Sequence, residues 1–190
     1  MAEKPILFNT EMVRAILDSR KRVTRRVCKG QPQGGINSPE MLGYEPPYKP
    51  GDILWVRETW DRYVDGNTGE TVYVFKTHSR ARKILEEVGG YQIKWRPSIH
   101  MPKDAARIFL KVKSVRSGRL QEYFDASCAH AEGIIIDRPH SCQEAVDAFV
   151  KLWNSTIKPA ELPRYGWEAN PWVWVIAFER IDKPKGWCES

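Results

Sequence analysis

A single threonine lies among cationic side chains near the start of the chain, and this combination suits acid-base chemistry. Residues 19–26 read Ser-Arg-Lys-Arg-Val-Thr-Arg-Arg, so five of the eight side chains are basic and none is acidic. Like charges disfavour the protonated form of a lysine, which predicts a lowered pKa for Lys21. A neutral amine can take a proton from a hydroxyl, which makes Thr24 a candidate nucleophile. The alternative interpretation is a solvated basic surface whose threonine favours a β-strand.

Two short elements must position these side chains. The apolar residues within residues 11–17 recur at helical spacing, and Thr10 is placed to cap the predicted helix. Residues 22–27 predict a short strand, in which alternate side chains share one face. The side chains on that face are Arg22, Thr24 and Arg26. Lys21 lies at the corner between the helix and the strand, from which it can reach the same face.

The basic run resembles the signature of a known family. Residues 19–26 are similar to the ASCH-domain pattern Gly-x-Lys-x-x-Glu-x-Arg, of the PUA-like superfamily of small β-barrels that handle RNA and modified nucleobases. Here Ser19 replaces the glycine and Thr24 replaces the glutamate. A lysine followed three residues later by a threonine resembles the bacterial N4-acetylcytidine amidohydrolase branch, which also uses a distant glutamate. Residues 129–133 resemble the segment that supplies it, which nominates Glu132.

The resemblance extends over the whole chain, to the longer ASCH proteins encoded by phages and prophages. The supporting segments are residues 48–52, 55–60 and 167–178. The resemblance implies an α+β protein with a PUA-like mixed β-barrel flanked by helices, in which residues 1–190 form a single domain. Relative to the smallest ASCH domains, residues 61–104 correspond to an insertion. Residues 29–50 contain five prolines and four glycines, which predicts a flap rather than a regular element.

The amidohydrolase resemblance implies a role for each site residue. Lys21 is then the general base, and Thr24 is the hydroxyl that attacks the acyl carbon of an N4-acylated cytidine. Glu132 is the acid that protonates the leaving nitrogen, and Arg26 stabilises the oxyanion. Two alternatives stay open: a non-catalytic module that binds RNA or a modified base, and a ribonuclease of the ASCH type.

Further cationic and aromatic residues are candidates for binding the nucleoside or nucleic acid. Trp95 lies between two cations in a segment whose prolines exclude regular structure. Such a residue can stack on a base, a contact of about 1–3 kcal/mol, or it can anchor the loop on the core. The candidate binding residues are Arg22, Arg26, Arg57, Trp60, Trp95 and Arg96.

Composition limits the remaining possibilities. A chain of 190 residues that is 42% hydrophobic can form one apolar core, and we assume a monomer. The formal net charge is +6, and residues 1–30 hold eight basic against three acidic residues. This concentration of positive charge favours a phosphate-bearing partner such as RNA, or a modified nucleoside.

The cysteines and hydropathy indicate the compartment. The four cysteines include no Cys-x-x-Cys pair, which is typical of reduced thiols in a cytoplasm. The sequence shows no signal peptide, and no apolar stretch approaches the ~20 residues that span a bilayer, so we expect a cytoplasmic protein without membrane contact. Cys128-x-His130 and His140-x-Cys142 have spacing unsuited to zinc, so we expect no metal and no cofactor.

Other elements follow from local patterns. Asp125 is placed to cap a helix that Gly133 ends, and Ser141 begins a capping box for a helix over residues 142–155. The remaining predicted elements are strands over residues 53–60, 71–76, 107–115 and 172–181, a surface helix over residues 79–88, and an irregular return over residues 159–170.

Overall fold

The fold contains a five-stranded sheet, a two-stranded hairpin and several helices. The computed structural model describes residues 1–31, 38–78, 92–135 and 142–187. The strands are β1 (Glu3–Leu7), β2 (Val23–Val27), β3 (Ile53–Arg57), β4 (Trp60–Val64), β5 (Thr71–Phe75), β6 (Phe109–Arg119) and β7 (Trp172–Ile181). The α-helices are α1 (Thr10–Leu17), α2 (Ala126–Ala131), α3 (Cys142–Ser155) and α4 (Leu162–Tyr165). Single 3-10 turns cover Ser98–His100 and Pro159–Glu161.

The strand order of the sheet is β1-β3-β6-β7-β2, and β4 pairs with β5 as a separate hairpin. The β1–β3 pair is parallel, whereas the other pairs of the large sheet are antiparallel. This arrangement confirms the α+β class. Within the described residues no strand pairing joins β1 to β2, so closure into a barrel stays a prediction.

One face of the sheet and α1 enclose the main apolar core. The core side chains alternate along four strands, as expected for strands with one buried face, and α1 contributes one apolar stripe. The central members of the core are Ile6, Leu54, Leu110, Ile176, Val13 and Ile16. The two outer strands β1 and β2 are joined by a side chain, because Arg26 Nη2 donates to the Leu7 carbonyl at 2.6 Å. Arg26 of the basic run therefore spans the gap between these two strands.

Several predicted boundaries differ from those of the structure. Asn9, not Thr10, caps α1, since its Oδ1 accepts from the Met12 N–H at 2.8 Å. The predicted strand over residues 53–60 is divided into β3 and β4 at Glu58, whose backbone N–H donates to Met101 Sδ. The strand predicted over residues 107–115 begins and ends later, because β6 covers Phe109–Arg119 and continues past an irregularity between Val112 and Ser114.

Elements with local signals were predicted correctly. The Asp125 carboxylate caps α2 by accepting from the Cys128 N–H, and Gly133 follows the helix at φ +92°. The predicted bounds of α3 and β7 agree with the structure. The return over residues 159–170 is more regular than predicted, because it contains a 3-10 turn and α4. The predicted surface helix over residues 79–88 and the Ser141 cap lie outside the described residues.

The described part of the predicted flap is held down at both ends. The Tyr48 hydroxyl donates to the Pro5 carbonyl at 2.9 Å, and Lys4 Nζ donates to the Pro47 carbonyl at 3.0 Å. At the other end Glu40 accepts from the backbone N–H of Ser117 on β6 at 2.8 Å. Residues 38–48 therefore extend from β6 to β1 on one side of the interval between β1 and β2.

The region after β3 forms a second apolar cluster. Trp60 and Phe75 of the β4–β5 hairpin pack with Met101, Phe109 and Trp187. That residues 61–104 are an insertion stays a prediction. The longest described helix, α3, has 14 residues, and none of the described helices has the length and apolar character that crossing a membrane requires.

Candidate functional site

A buried ion pair lies at the corner between α1 and β2. Lys21 Nζ donates to Glu132 Oε2 at 2.6 Å, to the Glu132 carbonyl at 2.9 Å and to the Val23 carbonyl at 2.9 Å. The two side chains are 0% and 3% exposed. Three acceptors match the three N–H donors of a lysine ammonium, so in the resting state the pair is Lys21 ammonium and Glu132 carboxylate.

Gly133 allows Glu132 to approach Lys21 this closely. The glycine has φ +92°, a conformation that side-chain-bearing residues rarely adopt. A Cβ at this position would lie 2.6 Å from Ala15 Cβ and 3.0 Å from Lys21 Cβ. Only a residue without a side chain therefore permits the end of α2 to pack on this corner without a shift of the backbone.

Hydrogen bonds to backbone carbonyls also hold the end of α2 in place. The Arg22 N–H donates to the Ala131 carbonyl at 2.8 Å. Arg20 Nη1 donates to the Gly133 carbonyl at 2.7 Å. The Glu132 backbone is thus bound on both sides, which fixes the position of its carboxylate.

Arg25 is a second cationic partner of Glu132, and sequence reasoning missed it. Its Nη1 donates to Glu132 Oε1 at 3.0 Å, and its guanidinium lies 4.7 Å from the Phe124 ring centroid and 5.9 Å from that of Phe149. Strand alternation places Arg25 on the face opposite Thr24, and nothing in the sequence indicated that Glu132 would lie at the strand edge within reach of both faces.

Thr24 lines a small recess together with Glu132. The side chain is 2% exposed and lies opposite Ile176 in the β2–β7 ladder. Its recess measures about 40 Å³, and Arg25 and Arg26 also line it. Within the described residues the Thr24 hydroxyl makes no hydrogen bond, and the three donors of Lys21 are directed to Glu132 and Val23 instead.

A larger hollow of about 390 Å³ adjoins the recess. The two share Met12, Arg26 and Thr156 in their walls. The larger hollow is within the ~300–1,000 Å³ range of small-molecule sites, whereas the recess is little more than the ~30 Å³ that one water occupies in the liquid. A ligand with a flat body in the hollow can therefore place only a small substituent beside Thr24.

The pKa of Lys21 is lowered in the fold, as predicted, but the main cause is not the predicted one. Burial is the largest effect and lowers the pKa, because it removes the ammonium from water. Glu132 opposes this effect, while Arg26 and Arg25 lower the pKa further. The neighbouring cations, which the sequence emphasised, are the smaller contribution.

The structure does not bring all candidate binding residues to the recess. Arg22 is exposed, and Arg57 Nε donates to the Met101 carbonyl at 3.0 Å. Trp60 is buried in the second apolar cluster beneath the guanidinium of Arg96, and Trp95 is half-buried. Only Arg26, of the six binding candidates, lines both the recess and the larger hollow.

The segment that carries Trp95 still borders the larger hollow, through Pro97 and Ser98. No group of three His, Cys, Asp or Glu residues that could hold a metal ion occurs in the described ranges. His140 of the Cys-His pattern lies outside those ranges.

The chain is similar in structure to two solved proteins over nearly all its length. Protein EF3133 from Enterococcus faecalis V583, which carries the family name DUF984, matches 97% of this chain and 83% of its own at 12% identity and a TM-score of 0.46. An ASCH domain from Lactobacillus crispatus JV V101 matches 96% of this chain and 81% of its own at 10% identity and a TM-score of 0.43. No protein-family model and no curated protein matches the sequence. An ASCH domain, the family that the motif resembles, is thus among the similar structures.

Proposed function

We propose that this chain handles modified nucleosides and hydrolyses the amide of an N4-acylated cytidine beside Thr24. The observation that supports the proposal is that Glu132, from a distant part of the sequence, pairs with Lys21 at 2.6 Å and lines one recess together with Thr24. The base and sugar fit the larger hollow, and the acyl group enters the recess.

The first step is a proton transfer inside the ion pair. Lys21 can act as a base only after it gives up a proton, because all three N–H groups are donated in the resting state. The 2.6 Å contact from Nζ to Oε2 provides the path, and the products are a neutral amine and a protonated Glu132. Burial lowers the pKa of Lys21, which favours the neutral amine.

The chemical step then uses both partners. The Lys21 amine takes the Thr24 proton while Oγ1 attacks the acyl carbon, and the Arg26 guanidinium stabilises the oxyanion. Glu132 returns its proton to N4 of the base as the carbon–nitrogen bond breaks. The acyl group remains on Thr24 as an ester. A water molecule hydrolyses this ester, the same ion pair transfers the protons, and the Thr24 hydroxyl is restored.

The test is a mass-spectrometric screen of acylated and methylated nucleosides incubated with the purified protein. We expect cytidine and the free acid from N4-acetylcytidine, and no product from N4-methylcytidine, which has no acyl carbon. If no acylated nucleoside is converted at any enzyme concentration, the proposed hydrolysis is wrong.

A non-catalytic binding module is the second candidate. The observation that favours it is the complete use of the Lys21 donors by Glu132 and Val23, which is also what a purely structural ion pair would show. In this case nucleosides or RNA bind without a product, and RNA binding weakens steeply as salt increases. Cleavage of labelled RNA would instead indicate the ribonuclease.

A further inference from the structure

Besides the recess and the hollow beside α1, a third and still larger hollow is lined by Arg26. It measures about 680 Å³ and is lined by the end of β1, by residues from β2 to Gly30, and by the described part of the flap. Arg26 and Leu7 line both this hollow and the one beside α1. We call it the roofed hollow, since residues 44–48 form one of its walls. Neither Thr24 nor Glu132 lines it.

Three aromatic residues are among those that line the roofed hollow. The Tyr44 ring packs against Gly30, where a Cβ would come within 2.7 Å of three atoms of the ring. Tyr48 is fixed by its hydrogen bond to the Pro5 carbonyl, and Trp174 of β7, which is 3% exposed, also belongs to the lining. Rings held in this way provide π-surfaces on which a planar heterocycle can stack.

The roofed hollow also has an incompletely used cationic group. Among the described residues Arg26 makes one hydrogen bond, to the Leu7 carbonyl, although a guanidinium has five N–H donors. Burial lowers the pKa of Arg26, so its surroundings disfavour the charge and an anionic ligand would offset this effect. Lys29 adds a second, exposed cation to the lining, and the exposed Glu45 carboxylate, also in the lining, pairs with Lys49 at 3.4 Å.

We infer that the roofed hollow is a second binding site and that it takes a mononucleotide. The base stacks on the aromatic wall that includes Tyr44, and the phosphate binds Arg26 and Lys29. The volume is within the range of small-molecule sites. The inference does not depend on hydrolysis at Thr24, but Arg26 borders both sites, so a phosphate bound here contacts a residue of the proposed catalytic centre.

Isothermal titration of the full chain with CMP and AMP tests the inference. We expect saturable binding with one nucleotide per chain. Cytidine and adenosine, which lack the phosphate, should bind at least about tenfold more weakly, since a charge-assisted contact is lost. Inorganic phosphate, which lacks the base, should also bind more weakly. Absence of saturable nucleotide binding, or equal affinity for nucleotide and nucleoside, would overturn the inference.

Matched variants assign the binding to this hollow. Tyr44→Ala removes an exposed ring and should weaken CMP binding about tenfold, as expected for the loss of one stacking contact. Tyr123→Ala removes another exposed tyrosine, which lines neither hollow, and should have no effect. Thr24→Val alters the recess alone and should preserve CMP affinity. Unchanged affinity in Tyr44→Ala, or its loss in Thr24→Val, would contradict the assignment.

Discussion

Glu132 compensates two buried cations at once, one at each carboxylate oxygen. Its partners Lys21 and Arg25 are nearly inaccessible to water, so each of the three charges depends on the others. A buried ion pair adds little net stability, whereas removal of one partner leaves an uncompensated charge in a medium of low polarity. The same carboxylate is therefore required for stability and, in the proposed reaction, for catalysis.

Glu132→Gln should destabilise the fold strongly. The amide keeps the size of the side chain but removes its charge, and we expect a loss of about 3–5 kcal/mol in the free energy of unfolding. Urea denaturation followed by tryptophan fluorescence measures it. Glu11→Gln is the control, because its side chain is 75% exposed in a surface ion pair, and its effect should be below about 0.5 kcal/mol. Equal stability of the two variants would contradict the buried network.

The pH dependence of turnover should report the shared proton of the ion pair. The reactive pair holds one proton between Lys21 and Glu132, and activity is lost when that proton dissociates. Because burial lowers the pKa of Lys21, kcat/KM should fall on the alkaline side with a midpoint below the ordinary lysine value of about 10.4. A profile measured with N4-acetylcytidine checks this. Activity that persists unchanged beyond that value would exclude Lys21 as the titrating group.

At the scale of elements, the site depends on the packing of the end of α2 against the corner between α1 and β2. Gly133→Ala should destabilise the protein by at least about 1–3 kcal/mol, since the added Cβ overlaps Ala15 and the backbone has a positive φ. Gly66→Ala is the matched control, because a Cβ there meets no atom within 4 Å. Thermal unfolding compares them. Similar melting temperatures for both variants would show that the corner is looser than the contacts indicate.

Asp52 joins the beginnings of β1 and β3. Burial alone would raise the pKa of this carboxyl, but backbone N–H donors of Lys49 and Ala2 together with the Lys4 amine lower it. A carboxyl whose pKa is lowered in the folded state stabilises the fold above its ordinary pKa, and this stabilisation is lost as the pH falls.

Asp52→Asn should therefore cost stability near neutral pH and cost progressively less below about pH 4. Urea denaturation of both proteins over this pH range gives the difference in the free energy of unfolding. Lys4 is partly exposed, so the backbone donors should account for most of the effect. A difference that stays constant with pH would show that the Asp52 carboxyl has its ordinary pKa in the fold.

Sequence reasoning succeeded where the signal was local. The cap and end of α2, the bounds of α3 and the run of β7 each follow from neighbouring residues. It failed where contacts between distant residues decide a strand boundary. An example is the end of β3, where Glu58 contacts Met101 and Arg107. In the site, the family resemblance nominated Lys21 and Glu132, which the structure pairs at 2.6 Å, but the role of Arg25 depends on the position of Glu132 at the edge of β2.

At the scale of the whole molecule, both proposed binding hollows border the gap between β1 and β2. Arg26 bridges the two strands and separates the roofed hollow from the hollow beside α1. The sequence could not predict either hollow, because their walls come from segments far apart in the chain. Residues 44–48, β2 and β7 line the roofed hollow, whereas α1 and the segment near Ser98 line the other, and the end of β1 borders both.

The fold as a whole is proposed to deliver an acyl carbon to the Thr24 hydroxyl. The most direct measurement is the rate of cytidine release from N4-acetylcytidine by the native protein, Thr24→Val and Thr24→Ser. Valine keeps the shape and strand preference of threonine but lacks the hydroxyl. We therefore expect Thr24→Val to have unchanged thermal stability and no turnover, and Thr24→Ser to retain part of the turnover. Native rates in a folded Thr24→Val variant would contradict it.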